Sequence, residues 1–203
     1  QLRYSNAGDI RNHLMADIPY LQRSAHFIEN HDEPRAVTAF GRERSLAAAV
    51  VVSTIPGLRL FHNGQLEGYR LRLPVQMLRG PEEAIDIDTW RFYEKLLRAC
   101  NSPVFHEGEW GLLDLDKTES GGNNHLNVLA WYWQYKEQVK IVVINYSAEP
   151  AQCWLKLPFG SETTQRVNMP EELLDRTQTY DVKHTENRGL YLELKPWESQ
   201  ILD

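Results

Sequence analysis

The chain has 203 residues, 42% of them hydrophobic and 25% charged, with 28 acidic against 22 basic side chains for a net charge of −6. These proportions describe a globular protein with enough apolar material for one or two cored domains, and the acidic balance argues against nucleic-acid binding through a basic face. The longest apolar stretch, Leu46 to Val52, is far short of the roughly 20 residues that cross a bilayer, so no membrane partner is expected.

The chain opens on Gln1 rather than Met, and Gln-Leu-Arg-Tyr-Ser-Asn resembles no signal peptide. Either a segment was removed or the chain is part of a longer one. Cys100 and Cys153 are too few for a disulfide framework and lack metal-ligand spacing. They read as two buried thiols in a reducing compartment, which favours a soluble, cytoplasmic setting, with a disulfide joining the two halves as the alternative.

In chain order, Asp9 is a candidate cap for a helix through Ile10, Leu14, Ile18 and Leu21, with Pro19 straining its last turn. Ala25 to Asn30 reads as a short strand that runs into the polar cluster His31-Asp32-Glu33-Pro34-Arg35. A helix is predicted from about Glu43 to Thr54, stopped by Pro56-Gly57. Leu58 to His62 is a second short strand, followed by the polar loop Asn63 to Gly68. Asp88 to Cys100 is an amphipathic helix with Trp90, Tyr93, Leu96 and Leu97 at helical spacing. Strand, helix, strand, helix implies a parallel sheet.

After Asn101 the pattern changes. Trp110 to Leu115, Leu126 to Tyr135, Val139 to Tyr146, Gln152 to Leu157 and Leu190 to Leu194 are strand-like, rich in β-branched and aromatic residues. Lys136-Glu137-Gln138 is expected to turn a hairpin, and Gly121-Gly122-Asn123-Asn124 to form a loop. Short strands at this spacing predict an antiparallel sandwich or barrel. The predicted domains are residues 1–102, α/β, and 103–203, all-β, packed together without a flexible linker. Two parallel strands cannot bury both faces of a sheet, so the first half calls for further strands.

Ligands of α/β proteins sit at the carboxyl ends of parallel strands. There, Phe27-Ile28-Glu29-Asn30-His31-Asp32-Glu33-Pro34-Arg35 places hydrogen-bonding side chains in a row behind an apolar strand. A carboxylate beside a histidine can grip adjacent hydroxyls of a sugar, one accepting and the other donating.

Phe-Ile-Glu-Asn-His-Asp resembles the last of the short sequence regions of the α-amylase family of retaining glycoside hydrolases, at the end of the seventh strand of a (β/α)₈ barrel. Gly57 to Gly68 looks like the eighth strand and its loop, and the helix ending at Cys100 like the last barrel helix. The β-rich remainder, closing on Gly189 to Trp197, resembles the family's C-terminal antiparallel domain. The resemblance covers essentially the whole chain in the correct order. It implies a fragment of a (β/α)₈ barrel, its seventh and eighth strands with their helices, followed by an antiparallel β-sandwich.

By this resemblance Asp32 corresponds to the family's transition-state-stabilising carboxylate and His31 to the histidine that binds the same sugar. Asn30, Arg35, Gln65 and Glu67 are further candidates for substrate contact. The implied substrate is an α-glucan or maltooligosaccharide, and the implied partner is the N-terminal part of the barrel. No cofactor and no metal are assigned to this chain. The nucleophile and general acid of the family come from the fourth and fifth strands, and neither motif occurs here. Asp9 and Asp17 precede the motif, but in a helical context. The chain alone is therefore expected to be inactive.

Blander roles stand beside these. His31 and Asp32 can cap or brace their loop, Glu29 and Asn30 can bond within it, Arg35 can pair with Glu33 or Glu43, and Gln65 and Glu67 can shape theirs. His26 with His31 and Asp32 makes a poor metal cluster, because the strand points the two histidines to opposite faces. Arg70, Arg72 and Arg79 read as alternating exposed positions. Trp131 and Trp133 share one strand face. Exposed, they would suit a non-catalytic carbohydrate-binding module; buried, they are core. A structural fragment completing a barrel with another chain is the third reading.

Overall fold

A computed structural model describes residues 2–15, 17–77, 79–119, 122–157, 165–183 and 189–203. Gln1, the start of the chain, and Gly121, in the predicted Gly-Gly-Asn-Asn loop, lie outside the described residues.

The first predicted helix is two. In α1 (Ala7–Leu14) the cap is Asn6 rather than Asp9. The Asn6 side chain accepts from the Asp9 amide at 2.9 Å, while the Asp9 carboxylate accepts from the Asn6 amide at 3.1 Å. This reciprocal arrangement satisfies two amides that a helix start leaves open. α2 (Ile18–Gln22) carries Pro19 in its first turn, where a missing N–H costs nothing, so the proline starts a helix instead of straining one.

β1 (Ala25–His26) and β2 (Leu58–Arg59) pair in parallel, Ala25 opposite Leu58 and His26 opposite Arg59. Both are shorter than the sequence suggests: the last bond across them runs from the Leu60 amide to the His26 carbonyl at 3.0 Å. Between them run a short α3 (Ala36–Phe40), absent from the sequence reading, and α4 (Arg42–Thr54). α4 is buried almost all round from Ala47 to Thr54, which is why its apolar residues lack a clean stripe. α5 (Ile87–Cys100) starts at Asp86, whose carboxylate accepts from the amides of Asp88 and Thr89. Those bonds, the one from Thr89 foremost, hold the Asp86 carboxyl below the ordinary range. α5 turns Tyr93, Leu96 and Ala99 inward, but Trp90 is 41% exposed.

After the short α6 (Val104–Glu107), nine strands among the described residues form one continuous antiparallel sheet rather than two separate ones: β3 (Glu109–Leu112), β4 (Leu115–Lys117), β5 (Val128–Tyr135), β6 (Gln138–Asn145), β7 (Ala151–Leu155), β8 (Gln165–Glu171), β9 (Arg176–Lys183), β10 (Gly189–Leu194) and β11 (Ser199–Leu202). Their order is β3-β5-β6-β11-β8-β9-β10-β7-β4. The sheet curls so that Ala130, Ile141 and Val143 of β5 and β6 meet Cys153, Leu155, Leu190 and Leu192 of β7 and β10 in an inner core. The β5–β6 hairpin turns on Lys136 and Glu137, with Tyr135 opposite Gln138 and Lys136 at a φ of 57°. The Leu126 end of the predicted strand is instead a single 3₁₀ turn, Asn124–Asn127.

The two halves share a core. Leu129, Trp131 and Trp133 of β5 and Val142 and Ile144 of β6 pack with Ala48, Val51, Leu96 and Phe105 of the helical half. β5 and β6 are thus buried on both faces, which accounts for their unbroken apolar runs. The Trp133 indole N–H donates to the Thr54 carbonyl at 2.6 Å, so a sheet residue closes the end of α4. Trp131 is fully buried and Trp133 is 6% exposed. The pair cannot serve as a sugar-stacking platform, and the carbohydrate-binding-module reading built on it is corrected accordingly.

Cys100 and Cys153 are free, one in each core. No helix among the described residues is long and apolar enough to cross a membrane.

Candidate functional site

The motif residues sit where the chain leaves β1. Asn30 turns it: its side-chain oxygen accepts from the amides of Asp32 and Glu33 at 2.8 and 2.9 Å. An asparagine that bonds the backbone two and three residues on makes a tight turn without any help from a ladder. Asn30 is thereby committed to its own loop through the oxygen that would otherwise accept from a ligand. The turn lifts His31 and Asp32 into solvent. Their side chains are 59% and 74% exposed, and His31 Nε2 stands 3.2 Å from Asp32 Oδ2.

Beneath this exposed pair lies a buried one. Glu29 is 1% exposed and Arg35 6%. Arg35 Nη1 donates to Glu29 Oε1 at 2.7 Å and to the Asn63 carbonyl at 2.6 Å, and its Nε donates to the Leu71 carbonyl at 3.0 Å. The other Glu29 oxygen accepts from the Ala36 amide at 2.6 Å, filling the open end of α3. Arg35 is therefore not available to a substrate, and its carboxylate partner is Glu29, not Glu33 or Glu43. Burial decides this: a guanidinium taken out of water needs its charge and its donors satisfied locally.

The loop after β2 meets this pair. Gly64 takes a φ of 88°, and a Cβ there would lie 2.6 Å from the Tyr69 ring and 3.0 Å from an Arg35 nitrogen, so only glycine lets the guanidinium in. Gln65 is 2% exposed, which fits its loop-shaping reading rather than substrate contact. Its side chain accepts from the His62 amide and donates to the Tyr93 hydroxyl, shaping the loop from within. Burial raises that Tyr93 hydroxyl well above its ordinary pKa. Glu67 is half-buried, and its carbonyl accepts from the Asp86 amide. Arg72, expected to be merely exposed, donates from Nε to the His31 carbonyl at 3.3 Å.

The structure thus brings His31 and Asp32 together at the surface and buries Arg35 and Gln65 below them. Glu29 is the residue whose structural role the sequence left open. The signal was its place at the strand end next to Ile28, six residues before an arginine that follows a proline. His26 Nε2 lies 2.9 Å from the Pro56 carbonyl, inside the fold, and no group of three or more possible metal ligands occurs among the described residues. A cavity of about 280 Å³ opens between α1, β1 and α4, lined by Asp9, His13, Phe27 and Val51 among others, and excludes His31 and Asp32. Chemically, the exposed pair offers one acceptor and one ring nitrogen within reach of neighbouring hydroxyls.

No family model matches the chain. A 142-residue stretch is 28% identical to an α-amylase of Haloarcula japonica, covering 70% of this chain and 20% of that protein. Among solved structures, a maltogenic α-amylase of Thermotoga neapolitana superposes with a TM-score of 0.69 at 23% identity, over 89% of this chain and 41% of that one. An α-amylase of Geobacillus thermoleovorans gives 0.67 at 18%, over 96% and 41%. A debranching enzyme of Nostoc punctiforme gives 0.68 at 17%, over 97% and 39%. The chain spans less than half the length of each of these proteins. The chain is thus similar in sequence to part of an α-amylase and shares the fold of part of these solved amylases and debranching enzyme.

Proposed function

We propose that this chain is the part of a retaining, α-glucan-active hydrolase or transglycosylase that carries Asp32 and His31. Asp32 would accept from hydroxyls of the sugar at the scissile bond, and His31 would hydrogen-bond the same ring. Contacts that tighten as the ring flattens lower the barrier, whereas contacts equally good to the resting sugar do not. The observation that carries this reading is the His31–Asp32 pair, 3.2 Å apart and exposed just past the carboxyl end of a parallel strand. The covalent step would fall to a nucleophile and a general acid supplied from outside these 203 residues.

The small parallel sheet supports the same reading. Leu58 of β2 is 64% exposed, and Phe27 and Leu60, directly after the two strands, are 40% and 39% exposed. Apolar residues of that size face neighbours in a parallel sheet, whose faces are normally both covered. The rest of a barrel would cover them, and the substrate would be an α-glucan or maltooligosaccharide.

The test uses the complete protein and the 203-residue chain side by side. In the complete protein, Asp32→Asn is expected to lower kcat on maltooligosaccharides by about a thousandfold or more, with a smaller change in KM. The isolated chain is expected to release no reducing sugar. Wild-type turnover by the Asp32→Asn protein, or hydrolysis by the isolated chain, would refute the assignment.

A further inference from the structure

We propose that Glu29 and Arg35 form a positioning latch that registers two loops, the one bearing His31 and Asp32 and the one bearing residues 70–77, as a single sugar-binding surface. The inference rests on the reading above and extends it to residues that touch no substrate.

The Glu29–Arg35 bond closes the first loop on itself at 2.7 Å, and the remaining bonds of the pair tie it to the second loop and to α3. Glu29 stands one residue before the Asn30 turn and anchors it to the first amide of α3. Arg35 crosses to the loop after β2 at two points, the Asn63 and Leu71 carbonyls. Beyond Leu71 the chain returns to the exposed pair, since Arg72 Nε donates to the His31 carbonyl. The base of this segment is held again by the Glu83 carboxylate, which accepts from the Leu71 amide at 3.2 Å, and by Thr38, whose hydroxyl donates to the Arg70 carbonyl at 3.1 Å. Leu73, Val75 and Met77 stand exposed next along the segment at 37%, 66% and 52%.

An exposed His–Asp pair on a bare turn is free to move, and catalytic contacts lose their value when displaced by about 1 Å. The buried ion pair supplies the rigidity that the turn lacks. A planar guanidinium suits the task because it spends separate, fixed donors on Glu29, Asn63 and Leu71. A lysine ammonium could keep the charge but not that geometry. Gly64 leaves room for the guanidinium, so the loop after β2 is shaped around it.

The experiment uses the complete enzyme with three variants: Asp32→Asn as reference, and Arg35→Lys and Glu29→Gln as latch variants. Circular dichroism at the assay temperature establishes folding. The expected result is that both latch variants bind a resting maltooligosaccharide within about threefold of wild type, while kcat falls about tenfold to a hundredfold. Affinity for a cationic sugar mimic with a flattened ring should fall in parallel with kcat. A residue that only stabilises the fold would lower the melting temperature and leave both quantities alone. Should Glu29→Gln not fold, Arg35→Lys decides, because it keeps a cation beside Glu29. If Asp32→Asn abolishes turnover while the folded latch variants keep wild-type kcat and mimic affinity, the latch is refuted and the sugar-site reading stands. If Asp32→Asn itself turns over normally, the reading falls and the latch with it.

Discussion

Trp133→Phe tests how the two halves of the chain are joined. The indole N–H reaches from β5 to the Thr54 carbonyl at 2.6 Å, at the last residue of α4. Thr54 is fully buried and Trp133 is 6% exposed, so no water can take the place of the lost donor. An orphaned buried carbonyl costs about 1–3 kcal/mol. Trimming the indole to a phenyl ring removes two or three buried ring atoms at roughly 0.8 kcal/mol per carbon. Part of that loss is offset because the phenyl ring keeps contact with Phe105, whose ring centre lies 6.0 Å from that of Trp133. The sum is about 2–4 kcal/mol, a drop of about 5–15 °C in melting temperature for a chain of this size. Chemical denaturation followed by far-ultraviolet circular dichroism measures it without relying on the altered tryptophan signal. Trp90→Phe is the control. Trp90 is 41% exposed on α5, and substitutions at such sites stay within about 0.5 kcal/mol. A Trp133→Phe loss no larger than the control would refute the idea that this bond locks the sheet to α4.

Burial pushes the thiols of Cys100 and Cys153 up to about 12. Neither is therefore expected to react with a water-soluble alkylating reagent at pH 8 in the folded protein, and both are expected to react after denaturation; rapid native labelling would contradict their burial. The same shifts fix a sign: an unfolded thiol ionises near about pH 8.5, so the thiols' contribution is full below that value and is lost as pH rises towards 12. Denaturation midpoints should fall from pH 8 to pH 10, and less steeply in a Cys100→Ala, Cys153→Ala double variant; identical slopes would remove the thiols from the account. Gly57→Ala is expected to destabilise by more than about 2 kcal/mol, because residue 57 holds a φ of 127° and a Cβ would stand 2.6 Å from the Leu21 carbonyl. A near-wild-type midpoint in urea would show that the turn into β2 can relax.

Much of the fold was legible because periodicity and punctuation agree. Asp88 to Cys100 reads as one amphipathic helix, and the structure places α5 over residues 87–100, with Tyr93 and Leu96 turned inward. Pro56-Gly57 ends α4 where the dipeptide says it should. Pro19 misled because a proline signals a helix start as well as a helix break: α1 ends at Leu14, and Pro19 stands in the first turn of α2. β8 and β9 escaped notice for a different reason. Gln165–Glu171 and Arg176–Lys183 are largely polar, and their pairing with each other is a long-range fact that no alternation of apolar residues announces. β5 and β6 were visible as strands, but their covering on both faces was not. An unbroken apolar run is equally consistent with one buried face and an exposed aromatic platform until something is known to pack on each side.

The site divides along the same line. His31 and Asp32 stood out as candidates from local sequence, because a strand that ends in hydrogen-bonding residues is a local pattern, and the family resemblance gave them their expected roles. The burial of Arg35 and Gln65 escaped notice because burial of a polar side chain depends on partners distant in sequence: Asn63 and Leu71 for Arg35, Tyr93 for Gln65. Arg35, a candidate for substrate contact by sequence, is instead buried against Glu29. That inversion has a physical basis. The Asn30 to Glu33 turn presents His31 and Asp32 to solvent, while the charges flanking it, Glu29 and Arg35, leave water only because each satisfies the other. Where a sequence offers several charged residues in a row after a strand, the exposed ones are candidates for chemistry and the buried ones for the scaffold. Here the backbone bonds of Asn30 and the two carbonyls gripped by Arg35 are what separate the two groups.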